Sequence, residues 1–397
     1  MNRTSRLLAA CVMLTSLLGG CGDDDPDTQG LTFGVILVGP KNDHGWSQAH
    51  YEGAQYVQAK LPGSHLLLFE SLNSADHPES TVESVVDDMV GRGARLIFTT
   101  SDEFEEATNT VARKYPRVTF ISVSGDDAWL QGRDAGKAPP NEGNIMGRVE
   151  HMVAIAGCAA ALATETGKLG YLGPLINFET RRIAASAFLG AQYCYETVRG
   201  RGPGSLRFTV TWIGFWFHIP GVTLDPSAVA QGFFDDGADV VLSGIDTPDA
   251  IQVAGQRAAG GEKVWATPYD FVDACSAAPT ACLGVPFFNW GPSYLETARE
   301  VQDGTWRQSW QWTPPYWQDL TDRDRTNVGW VNGPALTSEW AATLHQFVEG
   351  LASGQIALRG PINLQDGTPY LAPGETATDQ QIWYLPQLLE GMEGASQ

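Results

Sequence analysis

Two kinds of segment in this chain carry residue types that could do chemistry on a small molecule. The first is Gly39-Pro40-Lys41-Asn42-Asp43-His44-Gly45-Trp46-Ser47-Gln48-Ala49-His50, which joins a glycine turn, a carboxylate, an indole and several hydrogen-bonding groups. Trp46 offers a stacking face to a flat ring. Asp43 can accept hydrogen bonds from a ligand's hydroxyl or amino groups, or it can cap the helix that follows, and the residues leave both open. The second is a repeated phrase, once over 87–102 and again over 234–246. Each copy is a helix end, a Gly-Ala turn, an apolar strand, small polar residues and an aspartate. Asp102 and Asp246 therefore take comparable places just past a strand. Covalent chemistry finds no comparable support. There is no G-x-S-x-G elbow, P-loop, H-E-x-x-H or C-x-x-C, and the seven histidines are scattered. The expectation is recognition without catalysis, with no metal and no cofactor.

The elements that must position these residues alternate. Apolar runs over 31–38, 65–69, 95–100 and 118–123 read as strands, and 50–61, 81–90 and 105–114 as helices. The pattern restarts with helices over 153–164, 181–199, 227–235 and 248–258. Strands over 168–172, 206–212, 240–243 and 264–267 lie between and after them. Such alternation predicts an α/β chain of two similar lobes with parallel sheets. Ligands of open α/β sheets bind outside the carboxyl ends of the strands, so the cleft between the lobes is the expected site and hinge closure the expected motion. Later elements near Val285, over 294–302 and over 338–350 suggest that the chain crosses between the lobes more than once. We expect 31–145 with about 268–318 in the first lobe, and 146–267 with about 319–397 in the second.

The start of the chain gives an address. Arg3 and Arg6 precede an apolar stretch too short to span a bilayer, which ends in Leu18-Gly19-Gly20-Cys21. This is a secretory leader, and a cysteine directly after the small residues resembles a bacterial lipobox. Residues 1–20 are expected to be removed, Cys21 to be acylated, and 21–30 to act as a tether. The formal net charge of −21 argues against nucleic acid as a partner, and leaves the lipid as the contact with the membrane. Four further cysteines remain. Cys275 and Cys282 bracket a short loop of small residues, so a local disulfide is plausible there; Cys158 and Cys194 can pair or stay as buried thiols.

An ordered series of short matches runs through nearly the whole mature chain. After the segment around Trp46 come Glu70, Phe98-Thr99-Thr100-Ser101, Gly147-Arg148-Val149-Glu150, Thr166-Gly167-Lys168-Leu169-Gly170-Tyr171, and Glu179 with Arg182. Asp246-Thr247-Pro248, Asn289-Trp290-Gly291-Pro292-Ser293-Tyr294, Asp303-Gly304-Thr305-Trp306 and Gly360-Pro361-Ile362 continue it. In this series the chain resembles the basic membrane protein (BMP) family, the purine- and nucleoside-binding lipoproteins of ABC importers. The resemblance implies a type I periplasmic-binding fold of two Rossmann-like lobes joined by a hinge, a purine base or nucleoside between them, and an ABC permease as partner. It implies Trp46 and Trp216 as an aromatic clamp, Asp246 and Asp270 on ribose hydroxyls or base nitrogens, and Thr100, Ser101 and Asn289 as further hydrogen-bonding groups. Where the family has a short Trp-x-Asp-Pro loop, this chain has a longer aromatic one over 214–226, in which Phe215 or Phe217 could stand in for Trp216. The family's Asp-Ser-Asp is reduced to Pro268-Tyr269-Asp270, and a lysine of classical nucleoside binders is not evident near Phe287, so base and nucleoside both stay open. Glu179, Arg182, Arg148 and Glu150 read as structural ion pairs. Presenting ligand to a membrane sensor is an alternative for the same scaffold; an exported enzyme would need a catalytic constellation that these residues do not suggest.

Overall fold

The computed structural model describes residues 30–356 and 358–397. The leader and the acylation expected at Cys21 lie outside the described residues. Strand and helix alternate through β1 (Thr32–Leu37), α1 (Trp46–Lys60), β2 (His65–Phe69), α2 (Val82–Gly91), β3 (Leu96–Thr100), α3 (Glu105–Lys114), β4 (Thr119–Val123) and β5 (Glu142–Gly147). A second series follows: α4 (Glu150–Ala163), β6 (Lys168–Gly173), α5 (Phe178–Gln192), β7 (Arg207–Trp212), α6 (Pro226–Asp235), β8 (Val240–Ser243), α7 (Asp249–Ala259) and β9 (Trp265–Thr267). The last part holds β10 (Gly284–Phe288), α8 (Gly291–Gln302), β11 (Trp310–Thr313), β12 (Val328–Asn332), α9 (Ser338–Ala352), β13 (Ile362–Asn363), β14 (Pro369–Leu371), α10 (Asp379–Trp383) and β15 (Met392–Glu393).

Two parallel sheets result. The first has the order β11-β5-β4-β3-β1-β2 and the second β15-β7-β6-β8-β9. Helices cover their faces, so the strands are apolar nearly throughout; Leu96–Thr100, for example, is buried at every position. Local chemistry sets the helix starts. Thr81 and Asn177 close capping boxes at α2 and α5, and Asp225 caps α6 with Pro226 at its first position. The capping box explains why α5 starts at Phe178, earlier than its apolar pattern indicates. Helix α4 is buried almost all round and lies directly on α5. A Cβ on Gly157 would stand 1.9 Å from the Ala187 carbonyl oxygen, and one on Gly190 2.0 Å from that of Ala154. Only glycine permits so close an approach. Cys158 is disulfide-bonded to Cys194, in the π-helical turn that continues α5, and Cys275 to Cys282.

The crossings differ in one respect from expectation. The segment from 268 was expected with the first lobe, but 268–288 stays beside the second sheet. Asp270 bridges Phe287, Ala266 bridges Cys282, and β10 pairs antiparallel with β12. The chain returns to the first lobe only after β10, where α8 packs on α1 and β11 extends the first sheet next to β5. Such an excursion follows from pairing geometry, which apolar periodicity does not encode. Aromatic rings fill the junction: Trp129 stacks on Trp310 with centroids 4.1 Å apart, and Trp383 meets Trp310 and Trp312 edge-on. No helix among the described residues is long and apolar enough to cross a membrane.

Candidate functional site

Strand ends of both lobes converge on one narrow cavity. Val38, Trp46, Ser101, Asp102 and Ser124 line it from the first lobe, and Glu179, Trp216, Asp246, Tyr269 and Asp270 from the second. Val38 follows β1, Ser101 and Asp102 follow β3, and Ser124 follows β4. Asp246 follows β8, Tyr269 and Asp270 follow β9, Trp216 sits in the connection after β7, and Glu179 in the first turn of α5, which follows β6. This is the carboxyl-end placement that open α/β sheets impose on their ligands.

Trp46 stands in the first turn of α1 and not in a loop, as its polar surroundings had suggested. The cause is Asp43. Its carboxylate accepts the backbone N–H groups of Gly45, Ser47 and Gln48, each at 2.9 Å, and so starts the helix. Asp43 is therefore spent on capping and does not line the cavity. The Trp46 indole is fixed before any ligand arrives. Its Nε1 donates to the Thr100 carbonyl at 2.8 Å, and its ring meets His50, Phe288 and Trp290 edge-on, with centroids 4.5–5.3 Å away.

Of the eight expected binding residues, the fold brings five to the cavity: Trp46, Ser101, Trp216, Asp246 and Asp270. The other three, Asp43, Thr100 and Asn289, do not line it. The Thr100 hydroxyl donates to the Ile36 carbonyl at 2.8 Å, and Asn289 donates to the carbonyls of Arg323 and Thr326 at 2.8 and 2.6 Å. Five lining residues were not anticipated as binding groups. Asp102 had a signal, since it occupies in the first copy of the repeated phrase the place of Asp246 in the second. Glu179 does make the expected ion pair, with Arg182 Nη2 at 3.8 Å, but also faces the cavity, while Arg182 Nε pairs more closely with Glu150 at 2.7 Å. Arg148 pairs with Asp379 and lies over the Trp312 ring. Val38, Ser124 and Tyr269 carry no signal beyond following a strand.

Hydrogen bonds across the cleft hold the lobes together. Trp216 Nε1 and Asn177 Nδ2 donate to the two oxygens of Asp102 at 3.1 and 3.0 Å, and the Ser124 hydroxyl donates to Glu179. The long aromatic loop also crosses. Phe215 and Phe217 pack edge-to-face and lie against the first-lobe core that includes Ile36, Val38 and Leu72. Of the three aromatics in this loop, Trp216 is the one that lines the cavity. Gly45 marks the tightest point of the seam: a Cβ there would stand 1.8 Å from the Asp246 carbonyl oxygen. Gly45→Ala should therefore hold the lobes apart. The expected result is at least a tenfold loss of ligand affinity with little change in thermal stability, read by calorimetry and by a melting curve. Equal affinity would show that closure does not depend on this contact.

The electrostatics are one-sided. Four carboxyl side chains line the cavity and no lysine, arginine or histidine does. Burial, then the charges of Asp43, Asp102 and Glu179, push Asp246 well above the ordinary carboxylate range. Burial and the neighbouring Asp246 do the same to Asp270. Burial raises Asp102, and it raises Glu179 to about 7 against the pull of Arg182. Asp270 is the most constrained of the four. It is fully buried, its φ is +67°, and neither oxygen has a well-aligned hydrogen-bond partner. A non-glycine residue in the left-handed region with an unsatisfied buried carboxyl is strain of the kind that gathers at binding sites. Together the residues offer flat apolar faces and acceptor oxygens, and they suit a planar ligand rich in N–H and O–H groups.

Residues 31–200 match the family model described as ABC transporter substrate-binding protein, PnrA-like. A purine-binding protein of Brucella abortus is 27% identical over 379 residues, covering 95% of this chain and 96% of its own. The fold is similar to that of an ABC transporter solute-binding protein from Aeropyrum pernix, with a TM-score of 0.64 at 15% identity over 91% of this chain and 100% of that one. A solute-binding protein from Conexibacter woesei gives 0.58 at 19% identity over 83% and 98%. Matched by the family model over its first lobe and into its second, and aligned with a relative along nearly all of its length, the chain is similar to the PnrA-like (BMP) family of ABC transporter substrate-binding proteins.

Proposed function

We propose that this protein captures a purine base or nucleoside between its lobes and delivers it to an ABC permease, staying near that partner through a lipid on Cys21. The observation that carries the reading is the pairing of two indoles, Trp46 and Trp216, with Ser101, Asp102, Asp246 and Asp270 around one narrow cavity. A heterocycle stacked on an aromatic side chain gains about 1–3 kcal/mol per base. Carboxylates accept hydrogen bonds from ring N–H, exocyclic amino or ribose hydroxyl groups, and a carboxyl that keeps its proton can donate to a ring nitrogen. The name of the Brucella relative points to the same ligand class. A phosphorylated ligand fits poorly, because four carboxyls and no cationic side chain line the cavity. A lipid tether would raise the effective concentration of the loaded protein at the permease.

A thermal-shift panel tests this directly. Free bases and nucleosides should raise the melting temperature, whereas their 5′-monophosphates, glucose and amino acids should not. A clear response to glucose with none to any purine would overturn the reading.

A further inference from the structure

Just past the cleft-lining Ser124, a second group of acids comes together outside the cavity. Glu105 at the start of α3 and the adjacent pair Asp126 and Asp127 each bring one carboxylate oxygen within 4.8 Å of the others. We propose that this cluster binds a divalent, oxygen-preferring cation of the calcium class. The acids alone would be a weak argument, but two buried groups that accept nothing from the protein point the same way.

The first is Asn109, one turn along α3 from Glu105 and 5% exposed. Its Nδ2 touches Asp127, while its carbonyl Oδ1 is buried without a donor. The second is Glu142 on β5, fully buried, with neither carboxyl oxygen partnered. Glu142 shares a face of β5 with Asn144, two residues on, and Asn144 Oδ1 accepts the Ala128 N–H at 2.8 Å. That face therefore looks onto the loop that carries Asp126 and Asp127.

The donor set of the cluster is all oxygen, three carboxylates without imidazole or thiolate. Such a set suits calcium, magnesium or manganese rather than zinc or copper. Calcium binds six to eight oxygens at roughly 2.3–2.6 Å, so two oxygens sharing one ion can stand up to about 5 Å apart, and the 4.8 Å spread is within reach of a single ion. The nearby cations are engaged elsewhere. Arg113 donates to the Lys137 carbonyl at 2.6 Å, and the Lys137 ammonium pairs with Asp134 at 2.6 Å. The cation would fix the loop that presents Ser124 to the cleft. It would also fix the C-terminal segment, since the Tyr384 hydroxyl donates to Asp126.

The test uses the full chain, stripped with a chelator and titrated with terbium or calcium chloride at pH 8. Trp129, two residues beyond Asp127 and buried, can sensitise terbium luminescence. The expected results are a luminescence signal that calcium displaces, and a melting temperature raised by calcium at pH 8 and raised less at pH 5.5, because binding must release protons. Asp127→Asn should weaken both responses at least tenfold, whereas Asp246→Asn, in the cleft, should keep them. Glu105→Gln, whose amide oxygen can still accept the Asp126 N–H, serves as the second variant if Asp127→Asn fails to fold. No response to calcium, magnesium or manganese at pH 8 would overturn the proposal. So would a response abolished by Asp246→Asn and kept by Asp127→Asn, which would place the ion in the cleft.

Discussion

Asp270→Asn should make the ligand-free protein more stable and its cleft far weaker as a binding site. The two effects have one origin. The Asp270 carboxyl is fully buried beside Asp246 and has no well-aligned partner. Ionising it there costs the ligand-free fold, and an amide of the same shape, which cannot ionise, avoids that cost. The expected gain is about 1–3 kcal/mol at pH 8, where an unfolded chain ionises the carboxyl freely, and close to none at pH 4. Asparagine is the right replacement because it tolerates the left-handed backbone at φ +67°, so the chain need not move. The carboxyl is in turn what a ligand's N–H or O–H groups would meet. Its loss should cost about 2–4 kcal/mol of binding, roughly thirty- to several-hundredfold in Kd. Chemical denaturation and calorimetry on the same variant decide the matter. A variant that is less stable and binds normally would make Asp270 a structural residue.

Raising the pH from 5 to 8 should destabilise the ligand-free protein. Glu179 is raised to about 7, Glu105 and Glu142 to about 8, and Asp246 and Asp270 well above the ordinary range, in each case chiefly by burial. In an unfolded chain these groups ionise near about pH 4. Between about pH 4 and 8 the native state therefore holds more protons than the unfolded state, and stability falls as pH rises. The contribution is complete below the unfolded values and is lost as pH passes through the folded ones. Two histidines, His50 buried and His151 half-buried, act in the opposite sense. Burial lowers His50 well below its usual value and His151 to about 4, so unfolding takes up protons below about pH 6.5 and stability falls on the acid side. With the raised acids outnumbering the two histidines, the maximum should lie at mildly acid pH. A net loss of a few kcal/mol by pH 8 would lower the melting temperature by about 10 °C, at roughly 2–4 °C per kcal/mol. Melting curves across this range check it; a flat or rising profile would mean that the buried acids are compensated.

The alternation of apolar runs makes the two-lobed α/β fold readable in the sequence, because buried parallel strands and their covering helices leave a plain periodic record. The site was partly readable for a related reason. A residue just past a strand end is a candidate by position, and Ser101, Asp246 and Asp270 all stand there. Position does not reveal where a side chain spends its hydrogen bonds. Thr100 and Asn289 stand at strand ends too, yet their polar atoms close onto backbone carbonyls of neighbouring segments. Asp43 was open between capping and binding, and three backbone N–H groups decide for capping. Glu179 shows the converse limit: an ion pair at a helix start looks structural, and only the arrival of the first lobe makes it a wall of the cleft. The path over 268–288 depends on strand pairing across long sequence distances, which leaves no local pattern.

The central claim is that the cleft holds a planar purine between fixed aromatic faces. Its most direct test is calorimetric titration of the full chain with a free base or nucleoside, alongside glucose, repeated with Trp46→Ala. We predict one-to-one binding of the purine, no binding of glucose, and an affinity lowered by Trp46→Ala by about 1–3 kcal/mol, roughly five- to 150-fold. Saturable one-to-one binding of glucose without any purine heat would contradict the account, as would purine binding that Trp46→Ala leaves unchanged.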